Sequence, residues 1–158
     1  MKKLLWFLCN KAEEVVLAFI VGAMGLIMLL QVFFRYVLQT PLVWSEESVR
    51  FLFIWLTFIG ISYTVKMKTY TTVELLSSKF SPGVQKILKI SCNVLAMIFF
   101  AILFLPAMEV MNGQRGIMST GVKVDMSWVY LSVPVGIVLA EIRLLQHTWQ
   151  LITGKEEK

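Results

Sequence analysis

The sequence predicts an all-α integral membrane protein with four transmembrane helices, and three observations support this fold class. Hydrophobic residues make up 58% of the 158 residues and charged residues only 16%, whereas soluble proteins average about 45 to 50% and about 25%. Four apolar stretches are each long enough to cross a hydrocarbon core of about 30 Å as a helix. These stretches account for most of the chain, so we expect a single membrane domain over residues 1–158 and no soluble catalytic or ligand-binding module.

The first two spans are separated by a short break. The first is predicted over residues 15–37, and Pro41 then interrupts the chain. We expect Ser45 to act as the N-cap of the second span, which is predicted over residues 45–65. No small-residue cleavage site follows the N-terminal apolar run, so we expect this segment to be retained.

The middle of the chain, residues 66–89, is polar and basic. Within it, Tyr70–Phe80 carries a weak apolar stripe, and we expect a short interfacial helix there, lying along the membrane surface. Ser81 and Pro82 have the residue types of an N-cap and a first helical position. They open the third span, which is predicted over residues 84–111.

A glycine-rich loop is predicted over residues 112–125, before the last span. The fourth span is predicted over residues 126–145. Trp128 and Tyr130 lie at its start, where amphipathic rings favour the membrane–water interface.

Basic residues are distributed unequally between the two sides of the predicted helices. Eleven lie in the terminal segments, the central loop and the adjoining helix ends, against four on the other side, namely Arg35, Arg50, Arg115 and Lys123. The positive-inside rule therefore predicts that both termini and the central loop are cytoplasmic. The same distribution favours contact with membrane lipids and no contact with nucleic acid.

The sequence offers few residues that could bind a cofactor or form a redox centre. His147 is the single histidine, so one chain cannot supply a bis-histidine haem site, and we expect this residue to be an interfacial polar group near a helix end. Cys9 and Cys92 form no CxxC pattern and fall near the predicted cytoplasmic side. We predict no cofactor, no metal site and no enzymatic activity.

A small autonomous four-helix proton-coupled exporter is the alternative function, because such proteins depend on a carboxylate within the membrane. The candidate carboxylates all fall near predicted helix ends, where we expect interfacial charges: Glu13, Glu14, Glu109 and Glu141. The large apolar side chains of the spans offer surfaces for lipid or protein and no polar lining for a solute. A scaffold is therefore the favoured interpretation.

The segment from Gln31 to Trp55 places charges between two apolar spans. A charged side chain at the bilayer centre costs about 2.5 to 3.5 kcal/mol, so these charges mark a membrane boundary or a buried contact. They are Arg35, Glu46, Glu47 and Arg50. Glu46 and Arg50 are four residues apart, and we expect them to pair along one helix face.

This segment resembles a known family pattern, that of the small membrane subunit (DctQ-like, Q subunit) of tripartite ATP-independent periplasmic (TRAP) transporters. The matching residues are Gln31, Val32, Arg35, Tyr36, Pro41, Leu42, Trp44, Ser45, Glu46, Glu47, Arg50, Leu52, Phe53, Trp55 and Gly60. The fourth span is similar to that family's closing helix through Trp128, Tyr130, Pro134 and Gly136. Two positions depart from the pattern: Tyr70 where a histidine is frequent, and Asp125 with Met126 where a proline is usual.

The resemblance implies a non-enzymatic small permease subunit in the bacterial inner membrane. Such a subunit scaffolds a large transport subunit that imports a small organic acid, of the sialic acid or C4-dicarboxylate type, with sodium as the driving ion. A periplasmic substrate-binding protein delivers the solute.

The resemblance also implies roles for individual residues. A contact with the large subunit, or an internal brace, is expected at Arg35, Trp44, Glu46, Glu47, Arg50 and Trp55. Helix capping and lipid headgroup contact are the alternative for the same residues. Arg115 and Lys123 are expected to help dock the binding protein.

Overall fold

A computed structural model describes residues 2–67 and 81–153, and these ranges are helical except for their turns and one isolated β-bridge, between Met118 and Asp125. The expected interfacial helix over Tyr70–Phe80 lies outside the described residues. The helices are α1 (Lys2–Tyr36), α2 (Val43–Lys66), α3 (Pro82–Gly113), α4 (Met126–Tyr130) and α5 (Ser132–Thr153).

Four segments of the described chain are long and apolar enough to cross a membrane. They are Lys11–Tyr36, Val43–Val65, Gly83–Gly113 and Met126–Thr153. The predicted fold class, an all-α protein with four membrane spans, is therefore confirmed. The cytoplasmic location of both termini stays a prediction.

The start of α2 differs from the expectation, because the helix begins before Ser45. Leu42 is the N-cap and adopts an extended conformation, without a side-chain capping bond. Ser45 is fully buried, and its hydroxyl donates to the carbonyl oxygen of Leu42 at 2.7 Å. The predicted capping role of Ser45 is wrong, since its hydroxyl is satisfied inside the first turn. Ser81 does occupy the N-cap position of α3, with Pro82 next to it.

The fourth span consists of two helices rather than one. Ser132 begins α5 and is fully buried, with its hydroxyl donating to the Val129 carbonyl at 2.7 Å. Pro134 has no N–H for the bond that a continuous helix would make to Tyr130, which places the break here. α5 continues to Thr153, beyond the predicted end at residue 145, because Leu144, His147 and Leu151 recur on one buried face.

The helices that cross the membrane lie in a row, in the order α1, α2, α5, α3. α2 packs between α1 and α5, α3 packs on α5, and no packing joins α1 to α3 in the described part of the chain. In both outer helices, only 6% of the most apolar stretch is buried, against 39% in the span that contains α5. The row is therefore open, and α5 is its central element.

The α2–α5 crossing requires a glycine. A Cβ atom on Gly136 would lie 2.6 Å from the Cβ of Phe58 and 2.7 Å from its carbonyl oxygen. Small residues let membrane helices approach closely, and the backbones meet here at a distance that no side chain permits. This contact fixes the position of α5 against α2.

Candidate functional site

The side chain of Glu47 connects α2 to the loop formed by residues 114–125, which we call the second loop. Its Oε2 atom accepts hydrogen bonds from the backbone N–H groups of Gly121 (2.7 Å) and Val122 (2.9 Å). A Cβ atom on Gly121 would lie 2.8 Å from the same oxygen and 3.2 Å from the Cα atom of Trp44. In the structure Glu47 is thus an internal brace between two parts of the chain that lie far apart in sequence.

Asp125 organises the same loop from its other end. One carboxylate oxygen caps α4 by accepting from the Ser127 N–H at 2.9 Å, and the other accepts from the Gly116 N–H at 3.0 Å. The bond from Gly116, followed by those from Ser127, stabilises the charged form and lowers the pKa of the Asp125 carboxyl below its usual value. Asp125 therefore has a local structural function at the position where the resemblance leads one to expect proline. An aspartate directly before a helical segment is an N-cap signal that could have been found in the sequence.

Glu46 and Arg50 do not form the expected pair. Oε1 of Glu46 instead accepts a hydrogen bond from the side-chain amide of Gln31 at 2.9 Å, which joins α1 to α2. In the described ranges neither Arg35 nor Arg50 has an acidic partner, and both side chains are exposed. Because an i,i+4 pair on an exposed helix is worth only about 0.2 to 0.5 kcal/mol, the amide of the neighbouring helix can replace it.

The other residues singled out in this region have varied surroundings. Trp44 is 41% exposed and lies against the loop, whereas Trp55 is half-buried within α2. Arg115 and Lys123 are exposed in the loop, and Lys123 has a left-handed backbone conformation, with φ of 56°. The structure therefore brings Trp44 and Glu47 together with the loop that carries these two cations.

A second group of polar residues joins three helices: Glu13 of α1, Ser62 of α2 and Arg143 of α5. Oε1 of Glu13 accepts from the Arg143 guanidinium at 2.9 and 3.1 Å and from the Ser62 hydroxyl at 3.3 Å. The side chains of Arg143 and Glu13 are only 14% and 11% exposed. We call these three residues the three-helix polar cluster.

The three-helix polar cluster corrects the expectation that Glu13 lies near a helix end, while its interfacial depth stays a prediction. α1 begins at Lys2, well before the predicted span, so Glu13 lies inside the helix. Its cationic partner is remote in sequence, and no local pattern points to that pairing. Ion pairs with low exposure persist only when additional hydrogen bonds satisfy the charged groups. Ser62, together with the Gln146 amide oxygen that accepts from Arg143 at 3.1 Å, supplies such bonds.

Glu141 also departs from its expected place near a helix end. It lies well inside α5, and its Oε1 atom is buried without a hydrogen-bond partner in the described chain. Glu141 lines an open apolar groove of about 580 Å³ between α3 and α5, together with Met97, Ala101, Phe104, Val138 and Ile142. We call this the α3–α5 groove.

A second cleft, of about 420 Å³, lies between α1 and α5 and contains Glu13 and Arg143. Oε2 of Glu13 is buried there, and no donor for it is found among the described residues. Ile142 lines both the cleft and the α3–α5 groove. The two concavities therefore flank one ridge of α5.

His147 is buried, with 8% of its surface exposed. Its Nδ1 atom lies 2.9 Å from the side-chain nitrogen of Asn93, which also donates to the Thr148 hydroxyl at 3.1 Å. Nδ1 accepts this bond when the ring proton is on Nε2. The contact ties α3 to α5. Because α5 extends past residue 145, His147 lies inside the helix and not near its end, while its interfacial depth stays a prediction. Within residues 2–67 and 81–153, no group of three His, Cys, Asp or Glu side chains could hold a metal ion.

Comparison with known proteins gives a consistent set of similarities. The family model described as "Tripartite ATP-independent periplasmic transporters, DctQ component" matches residues 24–154. The chain is 25% identical to the C4-dicarboxylate TRAP transporter small permease protein DctQ of Vibrio cholerae, over 94% of this chain and 75% of that protein. It is 23% identical to the sialic acid TRAP transporter small permease protein SiaQ of the same organism, over 95% of this chain and 87% of that protein.

One relative is much longer than this chain. The sialic acid TRAP transporter permease protein SiaT of Haemophilus influenzae is 27% identical over 92% of this chain, but the match covers only 24% of SiaT. A segment similar to most of this chain thus forms about a quarter of a larger permease polypeptide.

Proposed function

The chain belongs to the DctQ family of TRAP transporter components, and from this premise we propose that it scaffolds a large transport subunit during sodium-driven import of a small organic acid. It is a non-enzymatic, multi-pass protein of the bacterial inner membrane. The solute and its coupling ion move through the large subunit. This chain supplies a stationary membrane surface for it.

The open row of helices is the observation that carries this proposal. A solute path for an organic acid needs uncommitted cations or hydrogen-bond donors between helices. In the described part of the chain the guanidinium of Arg143 is held by Glu13 and Gln146, and the α3–α5 groove is apolar around Glu141. Exposed apolar faces on α1 and α3 suit lipid or a partner protein, and they do not suit a solute.

The length of SiaT supports a large permease as that partner. In SiaT a segment similar to this chain is part of one polypeptide with a much longer remainder. A covalent connection in a relative is expected where two parts work in one assembly. The same association is proposed for this protein and its large permease.

The relatives support a class of substrate rather than one compound. They are named for C4-dicarboxylates, sialic acid and isethionate, all of which are small organic anions. We propose that the imported solute is a sialic acid or a C4-dicarboxylate. A periplasmic substrate-binding protein is proposed to deliver it, with Arg115 and Lys123 as docking charges on the exposed loop.

Reconstitution in liposomes tests the function. The large permease of the same organism, its binding protein and this chain are combined, and uptake of labelled acid is followed under an inward sodium gradient. Uptake should need all three proteins and the gradient. Proton-coupled transport by this chain alone would overturn the proposal in favour of an autonomous exporter.

A further inference from the structure

We propose that a transmembrane helix of the large permease lies in the α3–α5 groove and donates a hydrogen bond to Glu141. This inference rests on the proposed function. It names the surface on which this chain contacts the large permease. The shape of the groove and the Glu141 carboxylate that lines it support the inference.

The groove has the shape and composition of a surface that receives a helix. It is about 580 Å³ in volume, open along one side, and formed by Phe104 and Ala101 of α3 facing Val138 and Ile142 of α5. Val138 is 44% exposed and Ile142 is 46% exposed. Such apolar walls suit either lipid chains or a partner helix, so shape alone does not choose between them.

The Glu141 carboxylate favours a partner helix over lipid chains as the occupant of the groove. The Glu141 side chain lines the groove and is only partly buried. It makes no hydrogen bond or ion pair in the described chain, although it lies inside a span long and apolar enough to cross a membrane. The hydrocarbon of a bilayer contains no donors, and a polar group left unsatisfied there is costly. Acyl chains cannot satisfy this carboxylate. A helix that carries an N–H or O–H side chain at this depth can do so.

The opposite side of α5 is occupied, since Gly136 meets α2 and His147 meets α3. The α3–α5 groove is on a side of α5 that stays open, and this is where we place the large permease.

Photo-crosslinking from two phenylalanines of α3 tests the location. Phe104 lines the groove, whereas Phe99, which is 57% exposed, is outside it and faces another side of the helix by the 3.6-residue period. p-Benzoyl-phenylalanine replaces each residue in turn, and the chain is coexpressed with the large permease. The probe retains the native phenyl ring at both sites and adds the same benzoyl group to each, so the two positions are compared with an equal change in size.

We expect an adduct with the large permease from position 104 and none from position 99. An adduct from position 99 alone, an adduct between two copies of this chain, or no adduct from position 104 would overturn the inference while the large permease still copurifies. If the large permease does not copurify with the unsubstituted chain, the proposed function fails and the inference fails with it.

Replacement of Glu141 separates a partner contact from an internal structural role. Glu141→Leu removes a carboxylate that has no bond to lose within the described chain, so the melting temperature of the isolated protein should stay the same or rise. The yield of copurified large permease should fall about three- to tenfold, as expected for one hydrogen bond between membrane helices. Glu141→Gln retains an acceptor and should lose less.

Glu109→Leu is the matched control, because Glu109 is an exposed carboxylate of α3 outside the groove. It should leave the yield unchanged. A destabilised isolated chain with a normal yield of complex in Glu141→Leu would assign Glu141 to internal structure and overturn the proposal.

Discussion

Glu46 and Glu47 are adjacent carboxylates with different partners. Glu47 accepts two backbone bonds from the second loop, whereas Glu46 is exposed and accepts one bond from Gln31. A side chain that satisfies backbone N–H groups leaves them without partners when it is removed. The two residues therefore offer a matched comparison within one helix turn.

Glu47→Ala should loosen the second loop. Hydrogen exchange at the amides of Gly121 and Val122 should become several-fold faster, because both lose their acceptor. Glu46→Ala should leave those amides protected, since its bond is made to α1. If the amides of Gly121 and Val122 stay as protected in Glu47→Ala as in the unsubstituted chain, the loop does not depend on Glu47.

Arg115 and Lys123 are the residues to change for binding-protein docking. Charge reversal of both, to Glu, should raise the concentration of binding protein that gives half-maximal uptake by about tenfold or more, because rim charges act mainly on the association rate. The yield of large permease should not change. The effect on uptake should shrink as salt is added, since screening reduces attraction between exposed charges. An unchanged uptake curve at low salt would remove these residues from the docking surface.

At the scale of the helices, the sequence was sufficient to predict the four spans but not the contacts between them. A membrane helix satisfies its own backbone, so length and hydropathy locate it. Contacts between spans depend on pairs such as Glu13 and Arg143, whose separation in sequence carries no signal. The hydrogen bonds that Glu47 accepts could not be predicted from the sequence either, because their donors are backbone N–H groups. The spacing of Leu144, His147 and Leu151 did indicate that α5 continues beyond residue 145.

Gly136→Ala tests the α2–α5 crossing. The added Cβ atom would meet both the side chain and the backbone of Phe58, so the helices must separate. We expect a loss of about 1 to 3 kcal/mol in stability, typical of overpacking, measured by thermal unfolding in detergent. Gly60→Ala is the control, since nothing lies within 4 Å of a Cβ atom there. It should be neutral or slightly stabilising, because alanine favours helix.

The three-helix polar cluster can be tested with a double-mutant cycle. Arg143→Met leaves the Glu13 carboxylate buried without its cation and should cost about 3 to 5 kcal/mol, whereas the double variant with Glu13→Leu should recover much of that loss. Thermal unfolding of the four proteins gives the coupling. Additive losses would mean that the pair contributes no direct interaction to the isolated chain.

At the scale of the whole molecule, an open row of four spans has too little internal contact to enclose a site of its own. Its outer helices present apolar faces, and the Glu141 side chain lines an apolar groove without a hydrogen bond in the described chain. Both features are expected of a protein that is completed by a partner. Hydropathy could predict the number of spans, but not the order α1, α2, α5, α3, because that order is set by Gly136 at Phe58 and by Asn93 at His147.

The central claim is that this chain works as part of a larger permease, and purification from lipid tests it most directly. The affinity-tagged chain is coexpressed with the large permease of the same organism, transferred into nanodiscs and its mass measured. We predict a complex that contains both chains. Recovery of this chain alone or as a homo-oligomer, with the large permease left behind in the membrane fraction, would contradict the account.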